Sequence, residues 1–174
     1  MSKVKKMTLT CVIIAITTLT SNIVYIPVGF AKIFPIQHLA NVLTAVLLGP
    51  FYSVAQAFIV SLIRNMAGTG SIFAFPGSMI GAFLSGILFM KTKKLMWAFA
   101  GEVVGTGIIG AICCYPLAVL ILGQKTAVFG FIPAFIVSSF GGAVIGLIVL
   151  KFLLRNQALQ GIIRKNSTSS SDIH

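Results

Sequence analysis

Residues 128–150 read VFGFIPAFIVSSFGGAVIGLIVL, 23 positions without one charged side chain. As an α-helix this run is about 35 Å long, enough to cross the roughly 30 Å hydrocarbon core of a bilayer. It lacks the strict alternation of a transmembrane strand and is too long for one. Working outward, MTLTCVIIAITTLTSNIVY at 7–25 has the same character, and the remaining apolar stretches complete a set of six. The pattern predicts helices over about 7–25, 36–48, 51–65, 78–90, 95–122 and 128–154. Of 174 residues, 57% are hydrophobic and 9% are charged, against about 25% charged in a soluble domain. A soluble enzyme is excluded on that composition. The expected class is an all-α integral membrane protein, a six-transmembrane-helix bundle occupying residues 1–155, with a polar, disordered tail over 156–174.

Gly49-Pro50 supplies a helix stop and a helix start between the second and third segments. The second segment is short, about 20 Å, so residues 28–35 are expected as a loop that dips into the outer leaflet. The stretch 66–77 is rich in Gly, Thr, Ser and Pro. Irregular backbone of that kind is tolerated near a bilayer only where protein or a watery cavity satisfies it. Pro116 is expected to kink the fifth helix.

The net charge of +11 would point to nucleic acid in a soluble protein, but its distribution excludes that partner. Ten of the 13 basic residues fall in three places: Lys3, Lys5 and Lys6; Lys91, Lys93 and Lys94; and Lys151, Arg155, Arg164 and Lys165. Such clusters at helix ends meet anionic lipid and follow the positive-inside rule. Both termini and the 91–94 gap are therefore placed in the cytoplasm of a multi-pass cell-membrane protein. Four crossings separate the first cluster from the second and two separate the second from the third, so the parity agrees. The amino end is too long in its apolar part, and lacks a small-residue cleavage site, for a signal peptide. It reads as a retained first helix.

No phosphate-binding GxxxxGK[ST] loop, nucleophile–base pair or second membrane carboxylate is present. Neither ATP hydrolysis nor other catalysis is expected, and no cofactor. Cys11, Cys113 and Cys114 lie in apolar runs without metal-ligand spacing, so they read as buried thiols and no metal site is expected. Small residues four apart, Gly77 and Gly81, Gly101 and Gly105, Gly142 and Gly146, predict close helix packing. Cys11 and Ala15 give the first helix a smaller patch of the same kind.

Glu102 is the sharpest single residue, because an acid inside a membrane helix costs about 3 kcal/mol unless partnered. It shares a helical stripe with Gly105, Thr106, Ile109 and Cys113. Arg64 is the obvious countercharge, but it is expected at the opposite membrane edge. Contact with a helix, a partner subunit or a ligand all remain open for Glu102. His38 and Asn41 are expected near the outer end of the second helix, where an isolated His is commonly a packing residue.

The strongest constellation is Arg64-Asn65-Met66-Ala67-Gly68-Thr69-Gly70-Ser71-Ile72-Phe73-Ala74-Phe75-Pro76-Gly77-Ser78-Met79. Its hydrogen-bonding side chains, glycines and two aromatic rings suit a small, flat, uncharged ligand held by stacking and directed hydrogen bonds. An ordered turn capping the fourth helix is the structural alternative. The candidate binding residues are Asn65, Thr69, Ser71, Phe73, Phe75, Ser78, Glu102, Thr106, His38 and Asn41.

Together, Leu48-Gly49-Pro50, the 64–82 stretch through Ile80-Gly81-Ala82, and Gly101-Glu102 followed by Gly105-Thr106-Gly107 resemble the ThiW-type substrate-binding (S) component of energy-coupling factor (ECF) transporters. The resemblance spans about residues 5–155. It implies capture of a vitamin precursor, the thiazole moiety of thiamine (hydroxyethylthiazole), with a transmembrane coupling subunit and two ATPase subunits as partners. Many S components dock through an alanine-based motif on the first helix. Here that stretch reads CVIIAITTL at 11–19, which makes Cys11 and Ala15 the candidate docking residues. Alternatives are another thiamine-related ligand, hydroxymethylpyrimidine or thiamine, or a self-sufficient secondary transporter. The transporter reading is disfavoured by the single membrane acid and the lack of visible inverted repeats.

Overall fold

Glycine pairs decide how closely the helices approach. In the computed structural model a Cβ on Gly105 would lie 2.7 Å from the Gly81 Cα, and one on Gly110 would lie 2.6 Å from the Gly77 Cα. Two helices thus meet backbone to backbone, the expected result of small residues at helical spacing. The structure describes residues 1–21, 23, 26–28, 31–123 and 130–155.

Six helical rods are present among these residues: α1 (Lys3–Ser21), α2 (Pro35–Leu48), α3 (Pro50–Met66), α4 (Ala74–Thr92), α5 (Leu95–Ile121) and α6 (Ile132–Leu153). Four of them, α1, α4, α5 and α6, are long and apolar enough to cross a membrane, and α2 is a shorter apolar helix. Helix α4 packs on α2, α3 and α5; α6 packs on α2 and α5; α1 packs on α2 and α3. At the α2–α3 turn Gly49 has φ of 96°, which glycine adopts without strain, and Pro50 starts α3.

Several boundaries depart from the sequence reading. Helix α4 begins at Ala74 rather than near 78, because carbonyls of Ser71 and Ile72 accept from the Ala74 and Phe75 amides and start the winding before Pro76. Proline is tolerated there, in the first turn, where its missing N–H costs nothing. Helix α1 takes in Lys3–Lys6 and ends at Ser21. Residues 28–35, expected as a loop, contribute to a two-stranded antiparallel ribbon, β1 (Ile26–Val28) with β2 (Ala31–Ile33), in which Val28 pairs with Ala31. Pairing satisfies backbone groups that a bare loop would leave open. The expected tail at 156–174, the expected start of the sixth helix at 128 and the last expected residues of the first at 24–25 lie outside the described residues.

Within α5 the α-helical winding of Leu95–Val104 widens to a π-helical turn at Gly105–Gly110, returns to α over Ala111–Pro116 and widens again at Leu117–Ile121. The second wide turn follows Pro116, which removes a ladder hydrogen bond. The first places Thr106 against both α4 and Glu102.

The two ends of the bundle differ. Lys6 lies over the Tyr52 ring at 5.8 Å, beside the α2–α3 turn. At that end Val42, Val46, Leu47, Leu48, Phe89, Ala98, Ala143 and Leu150 form the buried apolar core, with Met1, Leu95 and Phe99 packed against it. The opposite end gathers the start of α2, the end of α3, the α3–α4 loop and the start of α6. Its interior is polar.

Candidate functional site

A cavity of about 400 Å³ opens at that second end. Its floor is set by helix lengths. Helix α2 has only 14 residues, so His38 stands about 15 Å from the α2–α3 turn, while Glu102, seven residues into α5, stands about 10 Å from its start. The two therefore meet at one depth. His38 Nδ1 lies 2.8 Å from Glu102 Oε1, and the same oxygen accepts from Asn41 Nδ2 at 2.9 Å and lies 3.1 Å from Thr106 Oγ1. Asn41 Nδ2 also reaches the Ser78 carbonyl and hydroxyl. Glu102 is fully buried and its Oε2 has no hydrogen-bond partner among the described residues.

This arrangement corrects the sequence reading of His38 as isolated. His38 has an acidic neighbour, Glu102, 64 positions away in the chain. For Glu102 it gives contact with a neighbouring helix, one of the alternatives the sequence left open, and the start of α2 reaches it because that helix is short.

The wall is built around Arg64, which is 1% exposed. One terminal nitrogen donates to Gln37 Oε1 and the other to the Thr69 carbonyl at 3.2 Å, while the guanidinium lies 3.9 Å from the Phe34 ring centre. Gln37 in turn donates to Ser61 Oγ at 2.9 Å. Intramembrane arginines mark functional sites by default, and that signal was available in the sequence, although Arg64 was weighed there only as a countercharge. Gln37, Phe34, Phe131, Phe135 and Ser138 also line the cavity. Sequence reasoning missed them, because nothing in an apolar run separates a wall residue from a packing one.

Of the predicted residues, Thr69, Ser71, Phe73, Ser78, Thr106 and His38 line the cavity. Phe73 packs against Phe131, with ring centres 4.7 Å apart and planes tilted by 46°. Glu102 and Asn41 lie behind the lining, holding His38 and Ser78. Phe75 and Asn65 are elsewhere. Phe75 faces Phe58 across 5.6 Å, because two residues of helical winding, about 200°, turn its side chain away from Phe73's. Asn65 Nδ2 donates to the Ser61 and Ser71 carbonyls, tying the α3–α4 loop to α3. Cys11 and Ala15 lie on an exposed face of α1 that also shows Val12, Ile16 and Leu19; of the three cysteines expected as buried thiols only Cys114 is buried, Cys11 and Cys113 lying on outward helix faces.

Polar side chains, the Arg64 guanidinium and the Phe73 and Phe131 rings line one space, the composition typical of small-ligand pockets. Comparison with protein families matches residues 7–156 to the model described as Thiamine-precursor transporter protein (ThiW). The chain belongs to the ThiW family. Comparison with curated proteins and with solved structures found no match. ThiW proteins are a transporter family, and the four long apolar helices accord with a membrane location.

Proposed function

We propose that this ThiW protein is the substrate-capture subunit of an ECF-type importer, taking the thiazole moiety of thiamine, hydroxyethylthiazole, from outside the cell. The observation that carries the reading is the juxtaposition of the Phe73 and Phe131 rings with the polar side chains of His38, Ser78 and Thr106 in one cavity. A thiazole ring stacks on phenyl faces, and its nitrogen and hydroxyl find donors and acceptors along Thr69, Ser71, Ser78, Thr106 and His38. With Nδ1 turned to Glu102, His38 has Nε2 left for the ligand. Asn41 and Glu102 serve as positioning residues, and Asn65 holds the loop.

In this proposal six helices span the membrane, both termini and the 91–94 gap are cytoplasmic, and the cavity opens outward. Among the described residues, Lys3, Lys5 and Lys6, Lys91, Lys93 and Lys94, and Lys151 and Arg155 fall at the helix ends opposite the cavity, in keeping with the positive-inside rule for that orientation. The chain has no phosphate-binding motif, so uptake depends on a coupling subunit and two ATPase subunits, which meet the Cys11 and Ala15 face of α1.

The test is reconstitution. Purified protein alone in liposomes binds hydroxyethylthiazole without concentrating it, and accumulation requires the partner subunits and ATP. Uphill accumulation by the lone chain on a proton or sodium gradient would replace this reading with a secondary transporter. Preferential binding of hydroxymethylpyrimidine would keep the role and change the substrate.

A further inference from the structure

The charge that faces the cavity is positive. Arg64 lines the wall, is 1% exposed and has a buried Nε with no hydrogen-bond partner among the described residues. Its terminal nitrogens meet an amide oxygen and a backbone carbonyl. Such partners solvate a guanidinium without neutralising it. The sequence contains two acidic residues, Glu102 and Asp172. Asp172 lies outside the described residues, and Glu102 lies behind the lining, its Oε1 shared by His38, Asn41 and Thr106 and its Oε2 buried. A phenyl face would ordinarily attract a cationic ligand, but the Phe34 face is already covered by Arg64.

We infer that Arg64 acts as a charge filter on this pocket, admitting neutral ligands that carry a hydrogen-bond acceptor and rejecting permanent cations, intact thiamine among them; the inference rests on the thiamine-precursor reading above. Two like charges about 6 Å apart in an effective dielectric of about 20 repel strongly enough to lower affinity about 100-fold. Each terminal nitrogen of the guanidinium carries a second N–H beyond the one already bonded, and these favour an acceptor, since a hydrogen bond to a charged donor is stronger than one to a neutral donor. The filter thus works by a cation in the wall, which is a stronger discriminator than the mere scarcity of acids.

Calorimetric titration of the full chain in detergent separates charge from shape. The ligands are hydroxyethylthiazole, its N-methyl thiazolium, and the thiophene in which a C–CH3 replaces N⁺–CH3. The last two share shape and lack the ring acceptor, so they differ in charge alone. The wild-type protein should bind the thiophene about 100-fold more tightly than the thiazolium. Arg64→Gln should narrow that ratio at least tenfold, and Arg64→Lys should keep it. Equal wild-type affinities for the two isosteres overturn the filter while leaving thiazole capture standing, and this pair decides even where Arg64→Gln does not fold. Failure of hydroxyethylthiazole, hydroxymethylpyrimidine and thiamine all to bind overturns the substrate reading, and the filter with it.

Discussion

His38 Nδ1 and Glu102 Oε1 lie 2.8 Å apart, joining α2 to α5 at the floor of the cavity. The pair sits in an interior where Glu102 is wholly shielded from solvent. Removing one partner of such a pair leaves a buried group without compensation, at a cost of about 3 to 5 kcal/mol. His38→Ala should therefore lower the thermal unfolding midpoint sharply. Adding Glu102→Gln to that variant should restore part of the loss, since an amide is cheaper to bury than a carboxylate. If the double variant is less stable than His38→Ala, Glu102 draws its stability from Asn41 and Thr106 and owes little to His38.

Phe73 and Phe75 are two residues apart in sequence and belong to different surroundings. Phe73→Ala should weaken hydroxyethylthiazole binding about five- to 150-fold, the range of about 1 to 3 kcal/mol associated with stacking on a flat heteroaromatic ring. Phe75→Ala removes a contact with Phe58 and should change the affinity by less than about threefold. Calorimetric titration of both variants checks the contrast, and the reverse ranking would move the ligand to the far side of α4.

Close approach of α4 and α5 leaves no room for a side chain at Gly105, whose Cβ would meet backbone at 2.7 Å. Gly105→Ala should cost about 1 to 3 kcal/mol, as overpacking does, and should disturb the Thr106 contact beside it. Nothing lies within 4 Å of a Cβ at Gly141, so Gly141→Ala should be tolerated. Paired thermal melts of the two variants give the comparison.

On α1, Ala15 is exposed and remote from the cavity. Ala15→Trp should leave ligand affinity unchanged and abolish ATP-dependent uptake, because a bulky ring blocks the helix approach that a small residue permits. Normal uptake by this variant would place the partner's contact on another face.

The helices were legible because the bilayer imposes a length and a polarity on each of them. The 64–79 stretch announced itself through Gly, Ser and Thr in a setting where such residues need a reason. What the sequence withheld was depth. Glu102 and His38 seemed to belong to opposite ends only because helix ends were equated with membrane edges, and the short α2 breaks that equation. Phe75 looked equivalent to Phe73 while 66–77 was read as loop; once α4 begins at Ala74, their side chains diverge. Asn65 carried the donors of a binding residue, and only the positions of the Ser61 and Ser71 carbonyls reveal where those donors are spent.

Placing the apolar core at one end and the polar cavity at the other also divides the molecule in time. Amides near Val46, Ala98 and Leu150, held under a continuous hydrocarbon packing, can exchange their hydrogens only when the bundle opens as a whole. Those of the 67–73 segment, tethered by the Arg64–Thr69 and Asn65–Ser71 hydrogen bonds, can open by local fluctuation at far lower free energy. A ligand arriving in the cavity should then slow exchange in that segment while leaving the core's rates unchanged. The basic end serves as a fixed frame, and the cost of closing over a ligand is confined to a few residues at the other.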